Sequence, residues 1–448
     1  MAAQMRLGAF LMGVGHHLAA WLHPSVNPRD LVDPNHYVRL ARTAEAAAFD
    51  AIFFADNVAM FGGGKPTAQS ARGAPVYYLE PLTLLAAIAA ATSRIGLVAT
   101  VSATYEPPYH LARKFATLDH VSGGRAGWNC VTSGSDAEAR NFGLVGQLDH
   151  ADRYARAAEY VDVVRQLWGS WDDDALLFDQ RGGRFFDPDA IHPIDHRGAH
   201  FSVAGPLQQG RSPQGEPVIV QAGSSADGIA LAGASAEVVF TAQQSLDGAI
   251  AFARKIRDAA AAAGRSSAPP LVMPGIMPFV AADRADAQRR HDELAALVDP
   301  AIGLGLVSAF MGVDLSGHDY DGPVPDAGAT EGWQSRQRLF LETARAEGLT
   351  VRQLVGRVVT ARGHKTVVGT PAEVADLLEE WFRAGAADGF NIMPPTLPDG
   401  LDDFTRLVVP ELRRRGLFRE AYQGTTLREH LGLARPAPRR PLLQGSNA

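Results

Sequence analysis

Short apolar runs alternate with longer amphipathic stretches along almost the whole chain. The strand-like runs fall at 6–14, 51–55, 95–102, 126–132, 217–222, 238–242, 272–280 and 389–393. Between them apolar residues recur at helical spacing, over 35–48, 81–92, 108–120, 151–171, 225–232, 246–263, 283–297 and 371–384. The runs are rich in β-branched residues and show no regular polar alternation. Such strands are buried on both faces, which predicts an α/β fold with a parallel sheet. Eight of these units is the number that closes a (β/α)8 TIM barrel. An open doubly wound sheet is the alternative, but no Gly-x-Gly-x-x-Gly turn follows the first run.

A bare barrel needs only about 250 residues, so a chain of 448 must carry insertions. Three segments read as such: 61–78 after strand two, 176–214 after strand four and 300–357 after strand seven. The first two are rich in glycine, and the third mixes apolar turns with polar loop. Long insertions at strand ends usually cover a substrate. The expected organisation is one domain over 1–435 with a Pro/Arg-rich tail at 436–448.

Composition narrows the function classes. A hydrophobic content of 46% can fill a large core, and a net charge of −7 argues against nucleic acid, which needs a basic face. The single cysteine, Cys130, excludes an internal disulfide and fits a reducing compartment. The apolar run at 7–14 ends in His16-His17 rather than in a small-residue cleavage site, so it reads as the first strand and not as a signal peptide. No apolar run reaches the roughly 18 residues of a membrane helix. A cytoplasmic protein is expected.

Candidate chemistry gathers at the ends of the predicted strands. The stretch 120–154 reads as a helix end, a Gly123-Gly124 turn, a buried strand, a polar exit at 133–136 and a new helix opening near His150. Trp128, Asn129 and Cys130 stand where a planar ligand can lie, and His150 and Tyr154 are one helical turn apart. Strand five runs into Gly223-Ser224-Ser225, where a helix start offers unpaired N–H groups to an anion; an ordinary serine cap is an equal reading. Asp56 ends strand two and either accepts from a ligand N–H or caps the next segment. Ser102 and Thr104 end strand three, where hydroxyls are also common turn residues. His16 and His17 end strand one, and one of them can donate to developing negative charge or move a proton, while the other merely packs. His192, Asp195, His196 and His200 invite a metal reading, since His-x-x-x-His is a ligand spacing on a helix, but Pro193 and Gly198 interrupt any helix there, so no metal is expected.

Several of these strings, taken in order, resemble one family. They are GHHLAAWLHP (15–24), FDAIFFAD (49–56), TVSATYEPPYHLARKFATLDHVSGGRAGWNCVTS (100–133), NFG…DHADRYARAAEYVDVVRQLW (141–168), HPIDHRGAHFSVAGPL (192–207), PVIVQAGSSADG (217–228), VGTPAEVADLL (368–378) and LREHLGLARP (427–436). Together they resemble the bacterial-luciferase-like, two-component flavin monooxygenases of the nitrilotriacetate, dibenzothiophene-sulfone and long-chain-alkane group. The likeness runs through nearly the whole chain. One departure is Leu22, where many members of that group carry arginine.

The resemblance implies a barrel that binds FMN as FMNH2, supplied by a separate NAD(P)H:flavin reductase, with O2 as cosubstrate. It places flavin contacts on Asp56, Ser102, His150, Tyr154 and Ser224, with Asn129 and Ser225 beside them. The implied reaction passes through a flavin C4a-(hydro)peroxide that transfers one oxygen atom to a small organic substrate, xenobiotic or sulfur-containing compounds among the options. Water must be kept out meanwhile, and Phe10, Met12, Phe54 and Trp128 are candidate dry walls. His17 or His16 is the candidate for the peroxide proton. A homodimer or homotetramer is expected. The competing classes are a metal-dependent barrel hydrolase and a non-catalytic flavin-binding barrel.

Overall fold

The eight apolar runs become eight parallel strands. The structure is a computed structural model and describes residues 4–60, 67, 70–73, 78–328 and 334–438. In chain order, β1 (Arg6–Leu11), β2 (Ala51–Phe54), β3 (Gly96–Ser102) and β4 (Ala126–Val131) come first. Two short hairpins follow, β5 (Leu176–Asp179) with β6 (Arg184–Phe186) and β7 (His196–Arg197) with β8 (Ser202–Val203). The remainder are β9 (Val218–Gln221), β10 (Val238–Thr241), β11 (Leu271–Val280), β12 (Lys365–Gly369) and β13 (Gly389–Ile392). Strands pair in the order β1-β2-β3-β4-β9-β10-β11-β13, and β13 returns to β1, so the sheet closes into the predicted barrel.

Consecutive strand residues point to opposite faces, and this splits the core in two. Outward residues such as Leu7, Ile52, Phe54, Leu97 and Trp128 pack against the helix layer. Inward residues such as Phe10, Phe53, Val98, Val220, Phe240 and Met273 fill the barrel. Phe54 and Trp128 are therefore not walls of a central cavity, contrary to the sequence-based expectation. Phe54 meets Tyr37 at 5.8 Å, and Trp128 sits among Phe115, Tyr160 and Trp168 with its Nε1–H donating to the Val101 carbonyl at 3.0 Å. An all-apolar strand leaves its inner face undecided until register is set.

The helices are tied by their own ends. Thr370 and Glu373 close a reciprocal capping box at the start of the helix Pro371–Arg383, whose Val374, Ala375, Leu378 and Trp381 recur at helical spacing on the buried face. No single helix among the described residues is long and apolar enough to cross a membrane; one pair, Arg284–Ala296 with Pro300–Met311, has that length together but is bent by 87°.

Strand β12 was not among the eight runs. It pairs only with the second half of β11, Ile276–Val280, while the first half of that 10-residue strand pairs with β10. The two strands thus rise past the barrel rim together. Residues 176–214 carry the two hairpins. Residues 300–357 carry the helices Pro300–Met311 and Gln334–Glu347 and most of Val351–Ala361, which share an apolar cluster of Val307, Phe310, Phe340, Leu354 and Val358. Most of 61–78 and the tail beyond 438 lie outside the described residues.

The strand starts are sealed by the chain's C-terminal part. Leu427 is fully buried among the inner residues, and Gly96 and Gly127 leave room for it: a Cβ on either would come within 2.4 and 3.2 Å of its methyl groups. Around this plug, Asp50 pairs with Arg419 and accepts the Leu7 N–H at 2.7 Å, and Arg428 reaches Glu237 at 2.6 and 3.0 Å. This end of a barrel serves stability, so chemistry belongs at the other.

Candidate active site

At the C-terminal ends of the strands lies a cavity of about 410 Å³, within the range of small-molecule sites. Phe10, Met12, Phe53, Phe240 and Met393 give it apolar walls. Polar groups then enter from three directions.

From β3 and β4, Asn129 Nδ2 donates to Thr100 Oγ1 at 2.9 Å, and that hydroxyl donates to the Phe54 carbonyl at 2.8 Å. The chain of bonds fixes the amide and leaves Asn129 Oδ1 buried without a partner, an acceptor facing a cavity that Asn129 lines. Asp56 also lines it, following β2. Burial raises its carboxyl to about 6, helped by Glu80 and Glu138 and opposed by the Asn57 N–H. Ser102 does not line the cavity; its hydroxyl accepts from Ser133 Oγ at 3.0 Å and from the Thr104 N–H at 3.1 Å.

From β9, the chain turns through Gly223 into the helix Ala226–Ser235, capped by Ser225, whose hydroxyl accepts the Gly228 N–H at 3.1 Å. A Cβ on Gly223 would stand 3.0 Å from Gly228 Cα and 3.4 Å from the Tyr154 hydroxyl, so the backbone itself forms a small cradle. Ser225, Tyr154 and His150 line the cavity here, while Ser224 is half-buried and outside the lining. His150 Nδ1 lies 3.0 Å from Asp227 Oδ2, and its ring meets that of Tyr154 at 4.7 Å.

From β1, Gly15 takes a φ of 138°, and a Cβ there would stand 2.3 Å from the Pro395 carbonyl. This turn hangs His16 and His17 on the carbonyls of Pro394 and Pro395. The two histidines then diverge. His16 is fully buried and lines the cavity; its Nε2 lies 2.9 Å from the Phe10 carbonyl and must carry the proton, so Nδ1, without a partner, is an acceptor. His17 lines a small neighbouring pocket with Met12, Tyr78 and Arg362, and its Nδ1 accepts the Ala19 N–H at 3.2 Å. Burial first, then neighbouring cationic groups, pushes both imidazoles down to about 3, so both are neutral near pH 7.

Beside His16 stands a group that sequence reasoning missed. Arg336, Arg362 and His364 all line the cavity, with Arg336 Nη2 donating to His364 Nε2 at 2.8 Å and His364 stacked on Phe240 at 4.9 Å. They come from the helix Gln334–Glu347 and the turn before β12, with no shared motif to mark them. The histidines of 192–200 stay apart from this site: His192 pairs with Asp172 and His196 with Glu159.

The chain resembles known proteins along nearly its whole length. The profile described as "Luciferase-like monooxygenase" matches residues 5–388. The chain is 48% identical over 440 residues to nitrilotriacetate monooxygenase component A of Aminobacter aminovorans, covering 97% of each protein. It is 46% identical over 439 residues to N-acetyl-S-(2-succino)cysteine monooxygenase of Bacillus subtilis (strain 168), covering 97% of this chain and 98% of that one. Among solved structures, a riboflavin lyase crystallised with modified FMN and riboflavin superposes with a TM-score of 0.87 at 34% identity, covering 97% of both chains.

Proposed function

The chain belongs to the luciferase-like monooxygenase family, and from that premise we propose that this flavin-dependent enzyme uses FMNH2 from a separate NAD(P)H:flavin reductase to oxygenate a small organic substrate. When bound, reduced FMN supplies two electrons to O2, one oxygen atom going to substrate and the other to water.

The observation that carries the reading is the pairing of a backbone cradle with an orphaned acceptor in one cavity. The Gly223–Gly228 approach and the N-terminus of the helix Ala226–Ser235 suit a phosphate, with Ser224, Ser225, Tyr154 and His150 within reach of that end. Asn129 Oδ1 and the Asp56 carboxylate suit ring N–H groups of the reduced flavin. Phe10, Met12 and Phe240 exclude water, and His16 Nδ1 offers a hydrogen-bond acceptor beside them. Ser102 acts at one remove, holding Ser133. Because reductase and oxygenase must share a flavin pool, we place the protein in the cytoplasm.

No dinucleotide fingerprint accompanies the cradle. The purified chain should therefore bind FMNH2 and consume oxygen only when a flavin reductase and NADH are added. Robust NADH oxidation by the chain alone would sink the two-component reading.

Two substitutions test the flavin contacts. Ser224→Ala with Ser225→Ala should weaken flavin binding about ten- to a hundredfold, because two neutral hydroxyl bonds contribute on the order of 1–3 kcal/mol. Backbone donors remain, so binding persists; an unchanged dissociation constant would move the phosphate elsewhere.

Asp56→Asn reads the other end of the flavin. The folded carboxyl titrates near 6, above its ordinary value of 3.8, so the folded state holds the proton longer and stability falls as pH rises between those values. The apo variant should thus gain about 1–3 kcal/mol over wild type at pH 8 and nothing at pH 3. FMNH2 affinity of the wild type should strengthen as the carboxylate forms above pH 6, and the variant should lose that dependence. Parallel titrations of both proteins would expose a flat wild-type profile if Asp56 has no such role.

A further inference from the structure

The cavity's β11–β12 side holds two cations to which no carboxylate is paired among the described residues. Arg336 Nη1 and Arg362 Nε are buried with no hydrogen-bond partner, and neither guanidinium pairs with a carboxylate among the described residues. Burial, with Arg362 next, holds Arg336 down to about 10, so it stays charged at neutral pH. The histidines around them add no counter-charge, since His16 is neutral and His364 is pushed down by burial and by Arg336. Arg362 is moreover kept at a φ of 51°, a conformation a side chain rarely adopts. Burying part of a guanidinium without a counter-charge is costly, so two half-buried arginines that each keep an unpartnered nitrogen inside this cavity suit an anion that arrives later. The flavin phosphate has its own proposed cradle at the end of β9, which β10 separates from β11, so the arginines are left for a second anion.

We propose that Arg336 and Arg362 form a carboxylate-binding subsite, and that the substrate is an organic acid bearing two or more carboxylates. His16, fully buried and with Nδ1 unpartnered, lies beside this subsite and marks where the oxidised atom of such an acid would stand. The inference rests on the monooxygenase reading for its chemistry but not for its geometry.

The test uses matched pairs that differ in charge alone: thiodiacetate, iminodiacetate and nitrilotriacetate, each beside its methyl ester, titrated calorimetrically into the purified protein. At least one acid should bind saturably, with its ester at least tenfold weaker. Arg336→Gln and Arg362→Asn (asparagine tolerates the left-handed backbone) should each weaken acid binding about ten- to a hundredfold, the range for losing a charge-assisted bond. Arg336→Lys should recover part of it, which a folding defect would not do. FMNH2 affinity, measured on the same preparations, should stay within twofold. Esters binding as tightly as acids, no acid binding at all, or variants that bind acids like wild type would overturn the proposal. Variants that lose FMNH2 instead would assign the arginines to the flavin and overturn it too. Failure of the chain to bind FMNH2 while it still binds acids would defeat the monooxygenase reading and leave this subsite standing.

Discussion

His16→Ala should consume oxygen in the presence of reductase, NADH and substrate, yet return most of it as H2O2 rather than as product. The side chain does not hold flavin in the proposed arrangement, so FMNH2 binding should survive. What is lost is the Nδ1 acceptor, positioned because the Phe10 carbonyl claims the proton on Nε2. A missing general acid–base group costs roughly 10²–10⁴-fold in the step it serves, enough for unproductive decay to win. Because burial keeps the ring neutral down to about pH 3, the coupling ratio of wild type should be flat between pH 6 and 8 on account of this residue. His17→Ala should stay near wild type, since His17 lines the adjoining pocket and not the main cavity. Measuring H2O2 per oxygen consumed for each variant separates the two. Full coupling in both would remove the role from either histidine.

Arg419→Met carries the largest expected effect on stability. Asp50 is 1% exposed and Arg419 is 5% exposed, so the substitution strands a carboxylate in the barrel floor. Breaking a buried pair from one side costs about 3–5 kcal/mol, because the remaining charge has lost its partner but not its burial. Replacing both, as Arg419→Met with Asp50→Asn, should recover a large part of that loss. The Leu7 N–H would then keep an amide acceptor in place of the carboxylate. Urea unfolding of wild type, both single variants and the double variant measures the coupling. A single-variant loss below about 1 kcal/mol would mean that Arg6, the other cation whose field reaches Asp50, or water compensates the carboxylate.

These expectations draw unequally on sequence and structure. The eight barrel strands were legible because a strand buried on both faces has a signature that few other elements share. β12 was not, since Lys365–Gly369 is half exposed and clings to the overhang of β11 alone. The inward or outward sense of each strand was hidden for the same reason the strands were visible: a run apolar throughout gives no face away. Hence Phe54 and Trp128 were assigned to the wrong side, although Asn129 lines the cavity. Polar residues at strand ends were readable one by one, but their division of labour was not. His16 and His17 are neighbours in sequence and occupy different pockets. Arg336, Arg362 and His364 were invisible because their proximity exists only after the helix Gln334–Glu347 packs beside the turn before β12.

The overhang of β11 separates two inheritances. β12 makes no ladder with any barrel strand but β11, and the segment that carries Arg336 and Arg362 is otherwise held by loop contacts, the Leu18 N–H on the Val359 carbonyl and Gln244 on the carbonyls of Gly363 and His364. The loops after β4 and β9, by contrast, leave strands paired on both sides. The side chains that this segment sets over the cavity can therefore change with no ladder of the closed barrel altered. A lineage built this way can change what it oxidises without having to solve its fold again.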